Sequence, residues 1–464
     1  MSNVEFINDL EIAEILSFGK ENAGNNELIK DILQKAKEAK GLTEKETAVL
    51  LYAPKQFDED IYHTAMEIKK LIYGNRIVMF APLYLSNYCI NGCEYCPYHR
   101  GNDRIKRKKL SQEDIVREVT ALQDMGHKRL ALEVGEDPQN NSLDYILKSI
   151  DTIYNVRHKN GAIRRVNINI AATTVDNYRE LKNAGIGTYI LFQETYHKST
   201  YEKYHKSGPK ADYFYHTMAM SRAQEGGIDD VGFGVLFGLY DFRYEVIALL
   251  KHANFLERTT GVGPHTISVP RIRPADRVDV NSFKHAVNDD DFKRLVAVIR
   301  LAVPYTGMIV STRESEKSRQ EVLQIGISQI SGGSSTKVGG YVENDDSNDT
   351  AQFELDDTRT LDEIVRWLLK LGYMPSFCTA CYREGRTGDR FMTFAKTGQI
   401  ANICGANAIL TLDEYLEDYA GQKTKLIGKD FILKELEKIP NPTIKEKAEE
   451  FVNKISFGSR DFRF

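Results

Sequence analysis

The chain has 464 residues, with 62 Lys and Arg against 66 Asp and Glu, a formal charge of −4 and 42% hydrophobic residues. That balance excludes wholesale disorder and gives no support for nucleic acid as a partner. No apolar run approaches the ~20 residues that span a bilayer, and the acidic start MSNVEFINDLEIAE has no apolar signal core, so a cytoplasmic protein with no membrane partner is expected.

Residues 1–75 read as a helical extension. Apolar positions recur at three-to-four spacing through ENAGNNELIKDILQKAKEAKGLTEKETAVLLYA, and Thr43 with Glu46 offers a capping pair. From residue 76 the pattern changes. RIVMFAPLYL, RLALEVG, RVNINIAA, GTYILFQ, DVGFGVLFG, PHTISVPR, GMIVST and IGISQI are predicted strands, with helix-like segments such as SQEDIVREVTALQDMG between most of them. An open doubly wound sheet fits this alternation, but eight units favour closure into an α/β (βα)8 barrel over residues 76–335. The basic run RIKRKK, from Arg104 to Lys109, reads as a solvated face or a groove for an anionic group. SGGSSTKVGGYVENDDSNDT, after Ile330, reads equally as a mobile surface connection or as a lid at the barrel mouth. Residues 336–464 read as a smaller, mainly helical domain.

The six cysteines fall into two groups, Cys89, Cys93 and Cys96, and Cys378, Cys381 and Cys404. In a chain without a signal segment such clusters point to metal or catalysis rather than disulfides. The first group has Cys-x3-Cys-x2-Cys spacing and directly follows the first predicted strand, where barrel enzymes place their chemistry. Three thiolates on a [4Fe–4S] cluster leave one iron open. The alternative is a zinc site completed by His99. The second group also has three cysteines, and no histidine follows His285 to supply a fourth ligand. It suits zinc with a distant ligand, or an auxiliary iron–sulfur cluster with a free iron. Arg383, Arg386 and Arg390 crowd the same stretch and would offset thiolate charge.

The Cx3CxΦC loop, with Tyr95 as the aromatic, resembles the cluster signature of radical S-adenosylmethionine enzymes. That resemblance implies a [4Fe–4S] cluster whose open iron binds S-adenosyl-L-methionine, and a protein that positions the cofactor and shields a radical. It further implies cofactor contacts at Gly135 and Glu136, at Glu194, and along the glycine-rich run Gly232 to Asp241. Arg222 is the candidate for the cofactor carboxylate, although relatives tend to place an arginine nearer His216. Arg313, at the end of the seventh predicted strand, suits a two-pronged clamp on a substrate carboxylate, against an internal salt bridge with Glu314 or Glu316.

QETYHKSTYEKYHKSGPKADY, ISVPRIRP and STRE narrow the resemblance to the tyrosine lyases of that family, and the Cx2Cx22C tail to the branch that matures [FeFe]-hydrogenase. The resemblance implies cleavage of L-tyrosine to p-cresol and dehydroglycine. The latter is then converted to carbon monoxide and cyanide on an auxiliary [4Fe–4S] cluster carrying an additional iron. His265 matches a ligand of that iron, and free cysteine or another small ligand would complete it. A reductant such as ferredoxin or flavodoxin and a maturation scaffold protein are the implied partners. The alternatives are a 2-iminoacetate synthase of thiamine biosynthesis and a non-catalytic iron–sulfur carrier. With clusters at opposite ends, a hydrophobic barrel interior is expected to guide a small intermediate between them.

Overall fold

The structure is a computed structural model that describes residues 4–275, 278–342, 349–396 and 400–464. Each predicted β-branched stretch supplies one barrel strand: β1 (Arg76–Ser86), β2 (Arg129–Val134), β3 (Arg165–Asn169), β4 (Tyr189–Glu194), β5 (Val231–Val235), β6 (Thr266–Ser268), β7 (Gly307–Val310) and β8 (Gln329–Ser331). All are parallel and pair in chain order. Val78 to Phe80 of β1 then pair with Gln329 to Ser331 of β8 and close the ring. The expected (βα)8 barrel is therefore present, with helices such as Gln112–Asp124 and Leu143–Asn155 outside it. Among the described residues no helix is long and apolar enough to cross a membrane.

The N-terminal extension folds as α1 (Asp9–Glu21), α2 (Asn26–Ala36), α3 (Glu44–Tyr52) and α4 (Asp58–Tyr73). Thr43 caps α3 as its sequence predicts: Glu46 N donates to Thr43 Oγ1 at 3.3 Å, and Thr43 N donates to Glu46 Oε2 at 2.8 Å. The C-terminal region is mainly helical, but it opens with a strand the sequence did not announce. This strand, β9 (Met374–Ser376), runs parallel to the first residues of β1. The helix Ile400–Asp418 follows. The second cysteine group is thus tied to the N-terminal end of β1, and the first group to its C-terminal end.

Period-two alternation turns Val166 and Ile168 of β3 outward under the helices and Arg165, Asn167 and Asn169 inward. The interior is not the hydrophobic channel expected. Phe80, Ala131, Ile190 and Ile309 form one part of its wall, but Glu133, Asn169 and Ser268 stand among them. These polar groups tolerate burial because they bond one another. Asn169 Nδ2 donates to Glu133 Oε2 at 2.8 Å, and Thr188 N donates to Asn167 Oδ1 at 3.1 Å.

The Gly/Ser-rich stretch after β8 packs across the barrel mouth. Tyr341 Oη donates to Pro82 O at 2.6 Å, and Tyr341 N and Val342 N donate to the Glu118 carboxylate at 3.0 and 2.9 Å. Its described part is a fixed wall rather than a surface connection; residues 343–348 lie outside the described residues.

Candidate active site

A cavity of about 250 Å³ opens at the C-terminal ends of the strands. Cys89, Cys93, Cys96, Tyr95, Gly135, Glu136, Glu194 and Arg313 all line it, so one wall gathers most of the candidates the sequence offers.

The cysteine loop is shaped from several sides. Ile90 N donates to Glu136 O at 2.8 Å, and Gly135 N to Ser86 O at 3.1 Å. A Cβ on Gly135 would lie 2.4 Å from Tyr88 O, so only glycine lets β2 approach the loop this closely. On the other side Gly92 N donates to Ser207 O at 2.9 Å and Glu94 N to Tyr204 O at 3.0 Å. Tyr95 Oη and His205 Nε2, 2.8 Å apart, lock that contact. Arg107, from the basic run, is no solvated side chain. It donates to Asn87 O at 2.5 Å, Tyr98 O at 2.9 Å and His99 O at 2.8 Å, clamping both ends of the loop. A guanidinium fork reaches several carbonyls at once, which a run of like charges does not reveal.

Burial pushes the Cys96 thiol up to about 12 and raises Cys93 as well. Such thiols favour the protonated form until a metal stabilises the thiolate. Among the described residues, no three Cys, His, Asp or Glu side chains converge as a single-ion site requires. A cubane asks for a different arrangement, with each thiolate on its own iron. Three soft thiolates on one loop, beside a cavity, fit that group.

Glu136 accepts from Asn91 Nδ2 at 2.6 Å, and burial raises its carboxyl above the usual range. Glu194 sits at φ +67, where the β4–β5 register shifts, and this left-handed kink turns it toward Lys210. Lys210 Nζ is 2.7 Å from Glu194 Oε1. Burial works to lower the Lys210 pKa, and Glu194 together with the Cys93 and Cys96 thiolates more than offsets it. Sequence reasoning missed Lys210 and Asn91. Their loops are close only in space, and nothing in SGPKADY marks its lysine. Deeper in, burial raises Glu133 to about 8, against the pull of Asn169 and Arg313.

Arg313 is half-buried and stacked 3.9 Å from the Phe353 ring centroid; its Nη1 donates to Arg271 O at 3.5 Å, and its Nε has no hydrogen-bond partner among the described residues. The salt bridge weighed as its alternative is not there. Glu314 is engaged by Arg271 and Arg273, and Glu316 by Arg359. Arg222 lies apart from the cavity lining. Its Nε donates to Thr173 O at 3.0 Å and its Nη2 to Tyr215 O at 2.6 Å. Within the glycine-rich run, Leu236 lines the cavity. A Cβ on Gly234 would lie 2.4 Å from Ser268 O, so that glycine serves strand packing.

At the other end of β1, Cys381 and Cys404 share a hydrogen bond that raises Cys381 and lowers Cys404, with Arg76 and Arg386 also favouring the Cys404 thiolate. Burial, then the neighbouring Cys404, raises Cys378 to about 11. Of the three arginines expected there, Arg383 instead pairs with Asp461, and Arg390 is exposed and bonds Gly385 O. His265 joins this end through Tyr382, whose Oη is 2.8 Å from His265 Nε2 and which follows Cys381 directly. The three thiols are neighbours at the barrel floor, a donor set suited to iron, while His265 stands behind Tyr382 with its Nε2 turned to that hydroxyl.

Residues 83–253 match the Radical SAM superfamily, and residues 268–374 the Biotin and Thiamin Synthesis associated domain. A crystal structure of HydG, a maturase of the [FeFe]-hydrogenase, is 56% identical and superposes with a TM-score of 0.96 over 99% of this chain and 100% of that one. The chain belongs to the HydG family of radical S-adenosylmethionine enzymes. HydG from Carboxydothermus hydrogenoformans is 37% identical, with a TM-score of 0.83 over 97% of this chain and 100% of that one. The 2-iminoacetate synthase of Salmonella typhimurium is 32% identical over 71% of this chain and 84% of its own. Membership in the HydG family implies a [4Fe–4S] cluster with S-adenosylmethionine.

Proposed function

We propose that the protein is a tyrosine lyase that breaks the Cα–Cβ bond of L-tyrosine to give p-cresol and dehydroglycine. Dehydroglycine is then converted to carbon monoxide and cyanide, delivered on iron for the H-cluster of [FeFe]-hydrogenase. The observation that carries this reading is a pair of cysteine trios at opposite ends of one barrel, the upper one facing a cavity with an unpaired arginine.

Cys89, Cys93 and Cys96 would hold a cluster that, with S-adenosylmethionine, supplies the adenosyl radical for hydrogen abstraction from the tyrosine amino group. Around it, Glu136 and Glu194 present carboxylates to the cationic methionine part of the cofactor, each fixed by a buried neighbour, Asn91 or Lys210. Arg313 takes the substrate carboxylate through its fork. Glu133, neutral at pH 7 because burial holds it near 8, does not compete for that arginine. The wall formed by Phe353 and its neighbours excludes water from the radical. Cys378, Cys381 and Cys404, with His265, would hold the auxiliary cluster and its additional iron, a small ligand such as free cysteine completing the latter. Ferredoxin or flavodoxin would supply electrons, and a scaffold protein would receive the product, in the cytoplasm.

The likeness to 2-iminoacetate synthase favours a second reading in which the reaction stops at dehydroglycine. Anaerobic turnover of isotopically labelled tyrosine separates the two. The maturase reading expects labelled p-cresol, carbon monoxide and cyanide, with the last two lost, and p-cresol kept, when Cys378 and Cys381 are replaced by Ala. An unchanged product set in that variant refutes it. Absence of 5′-deoxyadenosine with reductant, cofactor and tyrosine present leaves only a carrier.

A further inference from the structure

The second cysteine trio comes from two separate stretches of chain. Cys378 and Cys381 follow β9, and Cys404 stands in the helix Ile400–Asp418. Residues 460–464 lie across both. Every charged side chain between Cys381 and Thr387 bonds to them. Arg383 Nη1 and Nη2 reach Asp461 Oδ1 and Oδ2 at 2.5 and 2.6 Å, Arg463 Nε donates to Glu384 Oε1 at 2.5 Å, and Arg386 Nη2 donates to Phe464 O. On the helix side, Arg460 forks onto Asp418 at 2.6 and 2.7 Å. Asp461 N donates to Glu414 Oε1 at 2.5 Å, and Phe464 N to Asn407 Oδ1 at 2.9 Å.

Isolated surface ion pairs contribute little, but these contacts are of another kind. Two of them are two-pronged, and they join into one network. Asp461 Oδ1 is also 3.3 Å from Arg164 Nε, and Glu414 takes Arg164 Nη1 at 2.9 Å. The backbone of Asp461 is constrained as well. Its φ is +69, a left-handed conformation that strains a residue with a Cβ and that Asp and Asn adopt more readily than most. In that conformation a single residue gives its N–H to Glu414 and its carboxylate to Arg383. Apolar contact supports the segment: the Phe462 ring stacks 4.4 Å from that of Phe451 on the helix Pro442–Ser456.

The grip reaches the thiol-bearing residues directly. Arg386 N donates to Cys381 O at 2.7 Å, so what holds the Arg386 side chain also holds Cys381. Asp461 meanwhile cancels the charge of Arg383, two residues from Cys381. A guanidinium does not shed its proton, so whether that charge is matched depends on its partner. We propose that residues 460–464 are a positioning strap for the second cysteine group. They hold its loop against the Cys404 helix, and Asp461 fixes the net charge that an iron–sulfur cluster there experiences. The charge role rests on the cluster reading above; the strap itself rests on the contacts. Reduction potential follows the net charge around a cluster, so the two members of the Arg383–Asp461 pair act on it with opposite signs.

The test uses the full chain, reconstituted anaerobically with iron and sulfide. Asp461→Asn and Arg383→Gln break the same ion pair, and asparagine keeps the left-handed backbone. Amide hydrogen exchange over residues 378–386 is expected to quicken about 5- to 10-fold in both variants, with residues 87–99 unchanged. The midpoint potential of the second cluster, followed by electron paramagnetic resonance, is expected to rise in Asp461→Asn and to fall in Arg383→Gln, while that of the first cluster stays put. Loss of a merely structural contact would move both variants the same way. Shifts in one common direction, or no shift, overturn the charge role, and unchanged exchange in both variants overturns the strap. If the unmodified protein binds no iron at the second group, the cluster reading and the charge role fall together, and the exchange measurement decides the strap by itself.

Discussion

Gly135→Ala tests how the cysteine loop is placed. The added methyl would sit 2.4 Å from Tyr88 O, 3.1 Å from Tyr88 C and 3.2 Å from Cys89 Cβ. The first two are backbone atoms that no rotamer change can move. Restoring ordinary contact at about 3.4 Å requires the loop or β2 to retreat by about 1 Å. Overpacking of this kind costs about 1–3 kcal/mol in stability. The larger effect is positional, because a displacement of about 1 Å at a reacting centre lowers rate by about 100-fold. Cys89 is the neighbour of Tyr88, so the displacement falls on a cluster ligand. Anaerobically reconstituted variant is expected to bind less iron than the unmodified protein, to show a weaker or altered electron paramagnetic resonance signal, and to form 5′-deoxyadenosine about 100-fold more slowly. Gly24→Ala is the control, since nothing lies within 4 Å of its Cβ position. Unaltered iron content and 5′-deoxyadenosine rate in Gly135→Ala would refute the claim that this glycine sets the loop.

Arg107→Ala leaves Asn87, Tyr98 and His99 carbonyls without their shared donor. A loss of about 2–4 kcal/mol of loop order is expected, read as faster amide exchange over residues 87–99 and a weaker upper cluster. Arg107→Lys should restore little, because an ammonium lacks the fork; full rescue by lysine would show that charge alone matters. Glu245 is fully buried, and burial raises its pKa from 4.5 to about 8. An acid whose folded-state pKa is raised contributes stability below its unfolded pKa and loses it as pH climbs through the folded value. Thermal unfolding temperature should therefore fall between pH 4.5 and about 8, by a free energy of at most roughly 5 kcal/mol. Glu245→Gln should flatten that slope, leaving the part due to Glu133, which is raised in the same sense; an unchanged slope would sink the assignment.

What the sequence disclosed followed from periodicity and from rare residues. All eight barrel strands came from β-branched runs, because a strand buried on both faces has to be apolar along most of its length. The cysteine spacings, Gly135–Glu136 and Arg313 were legible because each sits at a strand end that the alternation locates. Other residues were hidden because their partners are distant in the chain. Lys210 matters through Glu194, Arg107 through carbonyls on both sides of the cysteine loop, and Arg129 through the Cys378 thiolate that it favours. In the sequence, KR at 128–129 and RR at 164–165 look like ordinary exposed charge. Only the inward phase of the strands, together with Glu414 claiming the other member of each pair, distinguishes them. β9 was missed for a similar reason. Three residues, one of them proline, carry no strand signal of their own, and its pairing with β1 is decided by tertiary contact.

That pairing makes β1 a ruler between the two cysteine groups. β9 pairs with Arg76 to Val78, two residues before Cys378, and the Cys404 thiolate is favoured by Arg76 itself. β1 has 11 residues and ends at Ser86, three positions before Cys89. At about 3.3 Å per residue the strand runs about 33 Å, and a barrel tilt of about 36° reduces this to about 27 Å along the axis. Allowing for where the loops leave the strands, the two clusters would lie about 20–30 Å apart. That is too far for a substrate bound at one to touch the other, so any fragment made at the mouth has to travel through the barrel. Pulsed dipolar electron paramagnetic resonance on the reduced protein, with both clusters paramagnetic, reads this spacing directly. A separation below about 15 Å would place both trios at one end of the barrel. It would remove the need for a transit.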